Sequence, residues 1–334
     1  MANPQTGIAL WRTRLPEPGK PWEPPRPETY VGRGFGVHLA PPSAAAHRLM
    51  YSMDIQQRSI WLKPLGSAGE TLQPKRVGTA SVTNSDAHIS PDGSRIVYQS
   101  TQTGSTEIWV SNIEGTHALQ LTNFGGPGTG SPAWSPDGRR IAFDSRMEGR
   151  PHIYVMPAMG GHPERVTDVL ADNYLPEWSK DGRWIYYCST RSGVVEVWRQ
   201  PVAGGTAQQL THDGGWAPAE SPDGGSLFYQ RRVPAGWSLR RLNLATGVDR
   251  EILPAIVERA FGIARDGVYY IPIPAAGGGF TIQFHSFESR VSRLIATIPK
   301  PMSRSLSLAP DGSFLLYSQL DRWGQDLVLV ENFH

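Results

Sequence analysis

Two imidazoles and a carboxylate, His38, His88 and Glu177, stand at one recurring sequence position, four residues before an Asp-Gly turn or its equivalent. Histidine and carboxylate together serve divalent-metal sites and acid–base chemistry. The same position in the other copies holds Ala133, Ala219, Gly262 and Ser307, and Glu177 belongs to a copy two further on from that of His88. A strand histidine lining a water-filled channel accounts for both imidazoles. The three residues are therefore read as channel lining, with no metal and no cofactor assigned.

A second set of residues suits recognition. Arg146, Arg150, Asp172, Tyr174, Arg191, Trp216, Arg231, Arg232, Asp321, Arg322 and Trp323 fall in loops between repeated strands. Arginine, tryptophan and tyrosine are the side chains that most often anchor interfaces, so these form the candidate partner-binding face. Nucleophilic chemistry finds no comparable signal: there is no Gly-x-Ser-x-Gly elbow. Gly126-Pro127-Gly128-Thr129-Gly130 lacks the lysine and the strand-to-helix context of a phosphate loop. Cys188 is the single cysteine, which excludes an internal disulfide and any multi-thiolate metal site; it is read as a buried strand thiol. No catalytic residue is assigned.

What must position these side chains is a repeat. Ser90-Pro91-Asp92-Gly93 returns as Ser135-Pro136-Asp137-Gly138, Ser179-Lys180-Asp181-Gly182, Ser221-Pro222-Asp223-Gly224, Ala264-Arg265-Asp266-Gly267 and Ala309-Pro310-Asp311-Gly312. The intervals between Asp92, Asp137, Asp181, Asp223, Asp266 and Asp311 run from 42 to 45 residues, the length of a four-stranded propeller blade. Proline pre-sets the second turn position, Asp can accept from nearby backbone N–H groups, and Gly takes the left-handed conformation. These six aspartates are accordingly structural turn residues. Each turn leads into an apolar-aromatic run such as Ile96-Val97-Tyr98 or Ile185-Tyr186-Tyr187.

A weaker seventh copy precedes them, with Leu49-Met50-Tyr51 as its second strand and Ile60-Trp61-Leu62 as its third. The expectation is an all-β, seven-bladed β-propeller of four-stranded antiparallel blades, a single domain over residues 35–334. The last copy stops after its third strand, and a segment around Glu28 to Val31 is expected to supply the fourth and close the ring. Ala9-Leu10-Trp11-Arg12 itself reads as a third strand, so residues 1–34 are either a dedicated closing segment with a Pro-rich connector or the remnant of an upstream blade.

Composition agrees with this. The 334 residues include 36 glycines and 29 prolines, against a hydrophobic share of 39%, which favours short strands and turns over helices or disorder. The balance of 32 basic against 30 acidic side chains gives no bulk charge for nucleic acid or an anionic membrane. No apolar run reaches the roughly 20 residues of a membrane helix.

The stretches Pro132-Ala133-Trp134-Ser135-Pro136-Asp137-Gly138-Arg139-Arg140-Ile141-Ala142-Phe143 and Pro176-Glu177-Trp178-Ser179-Lys180-Asp181-Gly182-Arg183-Trp184-Ile185-Tyr186-Tyr187 closely resemble the WD40-like repeats of the TolB type. That resemblance covers about residues 35–334 and implies a β-propeller. The ending Asp326-Leu327-Val328-Leu329-Val330-Glu331-Asn332-Phe333 also resembles the C-terminal propeller of CadC-type bacterial transcriptional regulators. Nothing here matches their winged helix, so DNA binding is not carried over. The resemblance implies a non-enzymatic binding or sensor module, a monomer, docking a protein, peptide or small ligand on its loop face within a bacterial regulatory or envelope protein, on the periplasmic or extracytoplasmic side. The alternative is a propeller enzyme, a metal-assisted lyase or hydrolase, with its active site in the central channel.

Overall fold

The computed structural model describes the backbone of residues 9–12, 26–30, 37–39 and 49–330, apart from 67–71, 80–81, 127, 169 and 276, and side chains within that set from residue 56 to 324 other than that of residue 303. The chain divides into two units, residues 58–124 with 128–321, and residues 1–57 with 125–127 and 322–334. In the smaller unit Ala9–Arg12 pairs antiparallel with Arg26–Tyr30. Val37–Leu39 pairs with the start of the long strand Leu49–Pro64, placing His38 opposite Ser52.

The described elements of the larger unit are all β-strands, and no described helix is long and apolar enough to cross a membrane. Its strands form six groups of four. Three are separate sheets, beginning at Asn84–Ile89, Thr129–Trp134 and Asn173–Trp178. A fourth and a fifth share the strand Asp249–Ile263, whose first half pairs with Gly236–Asn243 and whose second half pairs with Gly267–Pro272. The sixth begins with Met302–Leu308 on Phe314–Val330 and continues into Leu49–Pro64 and Lys75–Val77. There Leu65 N–H donates to Ser313 O at 2.8 Å, and Trp61 Nε1 donates to Asp321 at 3.2 Å.

Seven blades were expected, and the described residues make six. The segment read as a seventh copy does not start a sheet of its own: Ile60-Trp61-Leu62 is the third strand of the last group, with Lys75–Val77 as its fourth. Of the segment expected at that edge, Glu28 to Val31, residues 28–30 belong to the strand Arg26–Tyr30, paired with Ala9–Arg12 in a two-stranded sheet, and Val31 lies outside the described residues. The physical reason lies in the pattern of Ile60-Trp61-Leu62. Ile60 and Leu62, alternating on one face, are buried with Leu316 and Ala309 of the same group, leaving that edge of the sheet already occupied.

Strands in such groups are covered on both faces, so they read as nearly continuous apolar runs instead of alternating ones. Ile96, Val97, Ile141, Ala142 and Phe143 are all fully buried. Among the described residues six hydrophobic clusters result, each shared by two successive groups. Val97 and Ile108 meet Trp134, Ile141 and Phe143; Ala133 and Ile153 meet Trp178, Ile185 and Tyr187; Tyr186 and Val197 meet Leu227 and Tyr229. Phe228 and Leu239 meet Phe261 and Tyr270; Ile271 and Ile282 meet Leu306 and Tyr317; and Ile60, Leu62 and Leu316 meet Ile89, Ile96 and Trp109. Every group thus buries large side chains against two neighbours, each such burial worth about 1.5–3 kcal/mol.

Serine is the turn residue that sequence reasoning undervalued. Ser90 Oγ donates to Asp92 at 2.6 Å, Ser94 N–H donates to the same carboxylate at 3.0 Å, and Arg95 N–H donates back to Ser90 Oγ at 2.9 Å. The pattern repeats at Ser135, Ser179 and Ser221. Gly93, with φ of 73°, closes the turn onto Ser90 O. At Asp311 the serine position, two residues earlier, holds Ala309, and Ser313 supplies both donors instead.

Candidate functional site

The inner strands of the six groups share a backbone irregularity. Each carries a register shift, and within each a non-glycine residue takes positive φ: Asp86, Ser131, Leu175, Ala217, Arg259 and Ser305. An extra residue in one strand bends it and re-aims its side chains. The left-handed residue costs of order 1–2 kcal/mol, so something must hold it. Three of these bulges are held by the group before: Leu175 N–H donates to Asp144 at 3.2 Å, Arg259 N–H to Gln230 Oε1 at 2.6 Å, and Ala217 N–H to Cys188. Asp144, Cys188 and Gln230 each lie seven residues after a turn aspartate. Cys188 is buried, and burial pushes its thiol up to about 12, which leaves it inert.

The bulged strands surround a cavity of about 210 Å³ whose polar lining includes Asp86, His88, Glu177, Lys180, Glu220 and Arg259. At the end formed by the Asp-Gly turns it meets a wider space of about 570 Å³ bounded by Pro91, Trp134, Pro136, Trp178, Pro222 and Pro310. His88 is held through both its ring and its backbone: Trp134 N–H donates to its Nδ1 at 3.2 Å, and Trp134 Nε1 donates to its carbonyl at 3.1 Å. Trp178 makes the same indole bond to Ala133 O, at 3.2 Å. Because Nδ1 accepts, Nε2 carries the proton, and it lies 3.6 Å from Glu177 Oε2. Burial lowers the His88 pKa against the opposing pull of Glu177, so the imidazole is neutral at pH 7.

Glu220 stands where the second and third groups have tryptophan. It accepts from Tyr186 OH at 2.7 Å and from the backbone N–H of Lys180. Proline occupies the position of Lys180 in four of the other turns and has no N–H to give, so the bond to Glu220 explains the departure. Deeper in the cavity Arg259 Nη1 lies 3.1 Å from Asp86 Oδ2, a pair with side chains 16% and 9% exposed. Asp144 sits behind it, and burial pushes its carboxyl up to about 6 despite the Leu175 N–H and Arg259.

Of the expected channel residues, His88 and Glu177 converge. The side chain of His38 lies outside the described residues. Among the described residues no group of three or more His, Cys, Asp or Glu is placed to hold a metal ion. Beside Lys180 and the Tyr186-bound Glu220, the cavity therefore offers one neutral imidazole, a weakly partnered carboxylate and an ion pair.

The loop residues divide. Tyr174 and Trp216, from neighbouring inner strands, pack with ring centroids 5.2 Å apart. Trp216 stacks in turn on Trp237 at 5.7 Å, and the Arg232 guanidinium lies over Trp237 at 5.1 Å. Trp237 escaped sequence reading; its signal was its place opposite Arg232 across the hairpin turn that ends at Gly236. Burial pushes the Tyr174 hydroxyl up to about 12, with Arg146 near enough to act against it. The indole N–H of Trp216 is buried without an acceptor among the described residues, so stacking holds that ring.

Other arginines are already engaged. Arg150 pairs with Asp172 at 3.2 Å and Arg231 with Asp213 at 2.9 Å. Arg191 lies over Trp198 at 4.6 Å and donates to Tyr187 OH. Asp321 accepts from Trp61 and from Gln319 at 2.7 Å, which makes it a bond within the sixth group. Arg322 and Trp323 are exposed and belong to the smaller unit.

Residues 43–173 and 85–298 match the family model described as the TolB beta propeller domain. No curated protein sequence matches the chain. Among solved structures, a TolB-assigned protein of Agrobacterium tumefaciens is similar at 20% identity and a TM-score of 0.67, over 80% of this chain and 99% of that one. TolB of Acinetobacter baumannii is similar at 18% identity and 0.58, over 82% of this chain and 66% of that one. An oligogalacturonate lyase in complex with manganese is similar at 12% identity and 0.52, over 88% and 85%. At these identities the structural likeness is one of fold.

Proposed function

We propose that this chain, which belongs to the TolB β-propeller domain family, is a non-enzymatic binding module that docks a protein, peptide or small ligand on its loop face. The observation that carries the reading is the patch of Tyr174, Trp216 and Trp237 with Arg232 stacked on it. Three large rings from two adjacent four-strand groups present apolar area with little side-chain entropy left to lose, which is the make-up of a binding hot spot. A rigid scaffold carrying variable loops is the usual setting for such a site.

On this reading the six groups of the larger unit form one closed ring, the sixth packing on both the fifth and the first. It works as a monomeric sensor or docking part of a bacterial regulatory or envelope protein, on the extracytoplasmic side. The test is partner capture by the wild type and by the double variant Arg231→Ala, Arg232→Ala, compared quantitatively. A hot-spot pair should lower capture by at least about tenfold, the equivalent of about 1.4 kcal/mol. Equal capture by several such rim variants refutes the reading.

The approach of His88 to Glu177 supports a second reading, a channel enzyme of the lyase or hydrolase kind. It requires a third ligand or catalytic group beside these two. His88→Gln and Glu177→Gln leave partner capture unchanged if the loop face is the site.

A further inference from the structure

We propose that the loop-face patch recognises an acidic peptide segment, its carboxylates on Arg146 and Arg232 and an apolar or aromatic side chain on Tyr174, Trp216 and Trp237; the proposal rests on the binding-module reading and names the chemistry of its ligand. Charge complementarity carries it. The arginines around the patch separate into two kinds. Arg150 and Arg231 have carboxylate partners, Asp172 and Asp213. Arg146 and Arg232 are both exposed and have no ion pair among the described residues.

The two unpaired arginines lie at opposite ends of one aromatic run. Arg146 lies on the hairpin of Arg140–Glu148 and Arg150–Pro157, in the group packed against that of Tyr174, and with Asp172 it acts electrostatically on the Tyr174 hydroxyl; Tyr174 packs on Trp216, Trp216 on Trp237, and Arg232 covers Trp237. A guanidinium stacked on a ring keeps the edges of its fork free for a carboxylate, the geometry it matches best. A ligand with negative charge at both ends and a ring or aliphatic group between them fits that order; a basic peptide would place like charges together. A peptide is favoured over a single small anion because the run spans two neighbouring inner strands and a hairpin beyond them, a row that a multi-residue segment can follow.

The experiment uses the whole chain and defined probes: Ac-Gly-Glu-Phe-Glu-Gly-NH2, the same peptide with Gln for Glu, the same with Lys for Glu, and a single-stranded oligothymidylate. Binding is followed by tryptophan fluorescence and calorimetry at low and high salt. The acidic peptide should bind, weaken as salt rises, and exceed the Gln peptide by at least about tenfold, or about 1.4 kcal/mol. Arg146→Gln with Arg232→Gln should remove that advantage at an unchanged melting temperature, while Arg183→Gln, in the turn region, leaves it intact. Equal binding of the acidic and Gln peptides, preference for the Lys peptide, binding of the oligonucleotide alone, or no binding at about 1 mM each overturns the proposal. If any of these occurs while rim variants still lose captured partners, the ligand chemistry is wrong and the binding-module reading stands. If rim variants also capture normally, both fall.

Discussion

Two kinds of aspartate in this protein respond to pH in opposite senses. Asp92 and Asp181 are held down to about 2, first by a serine hydroxyl and then by a backbone N–H. Their folded pKa lies below the unfolded value, so their contribution is present above pH 4 and is lost as pH falls toward 2. Each is small, because these carboxylates are largely open to solvent. Asp144 is the reverse: burial lifts it from 3.8 to about 6. Its contribution is full below pH 4 and is lost as pH rises through 6, a difference of up to about 3 kcal/mol. Asp144→Asn keeps an oxygen for Leu175 N–H and removes the charge. Relative to wild type, the variant's unfolding free energy should therefore rise by up to about 3 kcal/mol between pH 4 and pH 7.5. Urea melts at both pH values check this; a difference that stays constant with pH removes the role given to burial.

At the scale of the element, turn and bulge give separable predictions. Ser135 is buried and bonds both to Asp137 and to Arg140 N–H, so Ser135→Ala should cost about 1–2 kcal/mol in a denaturant melt with an unchanged slope. Ala217 sits at φ of 50° in its bulge. Ala217→Gly should be neutral or stabilising by up to about 1 kcal/mol, whereas Ala217→Val, β-branched at positive φ, should destabilise; the reverse order would show that the bulge is not strained. The Asp-Gly turns were legible in the sequence because proline, aspartate and glycine each have a local reason to be there. The bulges were not, because their residues are as different as Asp86, Leu175 and Arg259 and are held by side chains about thirty or more residues away in sequence. Lys180 shows the same limit. Its departure from proline was visible, but the reason, an N–H for Glu220 in the next group, is a tertiary one.

For the whole molecule, the period of 42 to 45 residues revealed the repeat and its strand order, while the number of groups depended on which strands share a sheet. Ile60-Trp61-Leu62 looks the same in sequence whether it belongs to a seventh blade or completes a sixth. Only its burial with Leu316 and Ala309, and beyond them with Ile89 and Ile96 of the first group, decides. In an open repeat array the terminal unit has one neighbour and frays first, since stability is roughly a sum of units and nearest-neighbour interfaces. Here buried residues of the sixth group pack on both the fifth and the first, so it should melt with the rest. Ile60 and Ile141, buried in the sixth and second groups, provide the comparison. Each →Ala change should cost about 2–5 kcal/mol and shift a single unfolding transition, with fluorescence and far-ultraviolet dichroism coinciding. If the Ile60 variant instead shows an early separate transition while the Ile141 variant does not, the last group is a loosely attached end, and the chain is an open array.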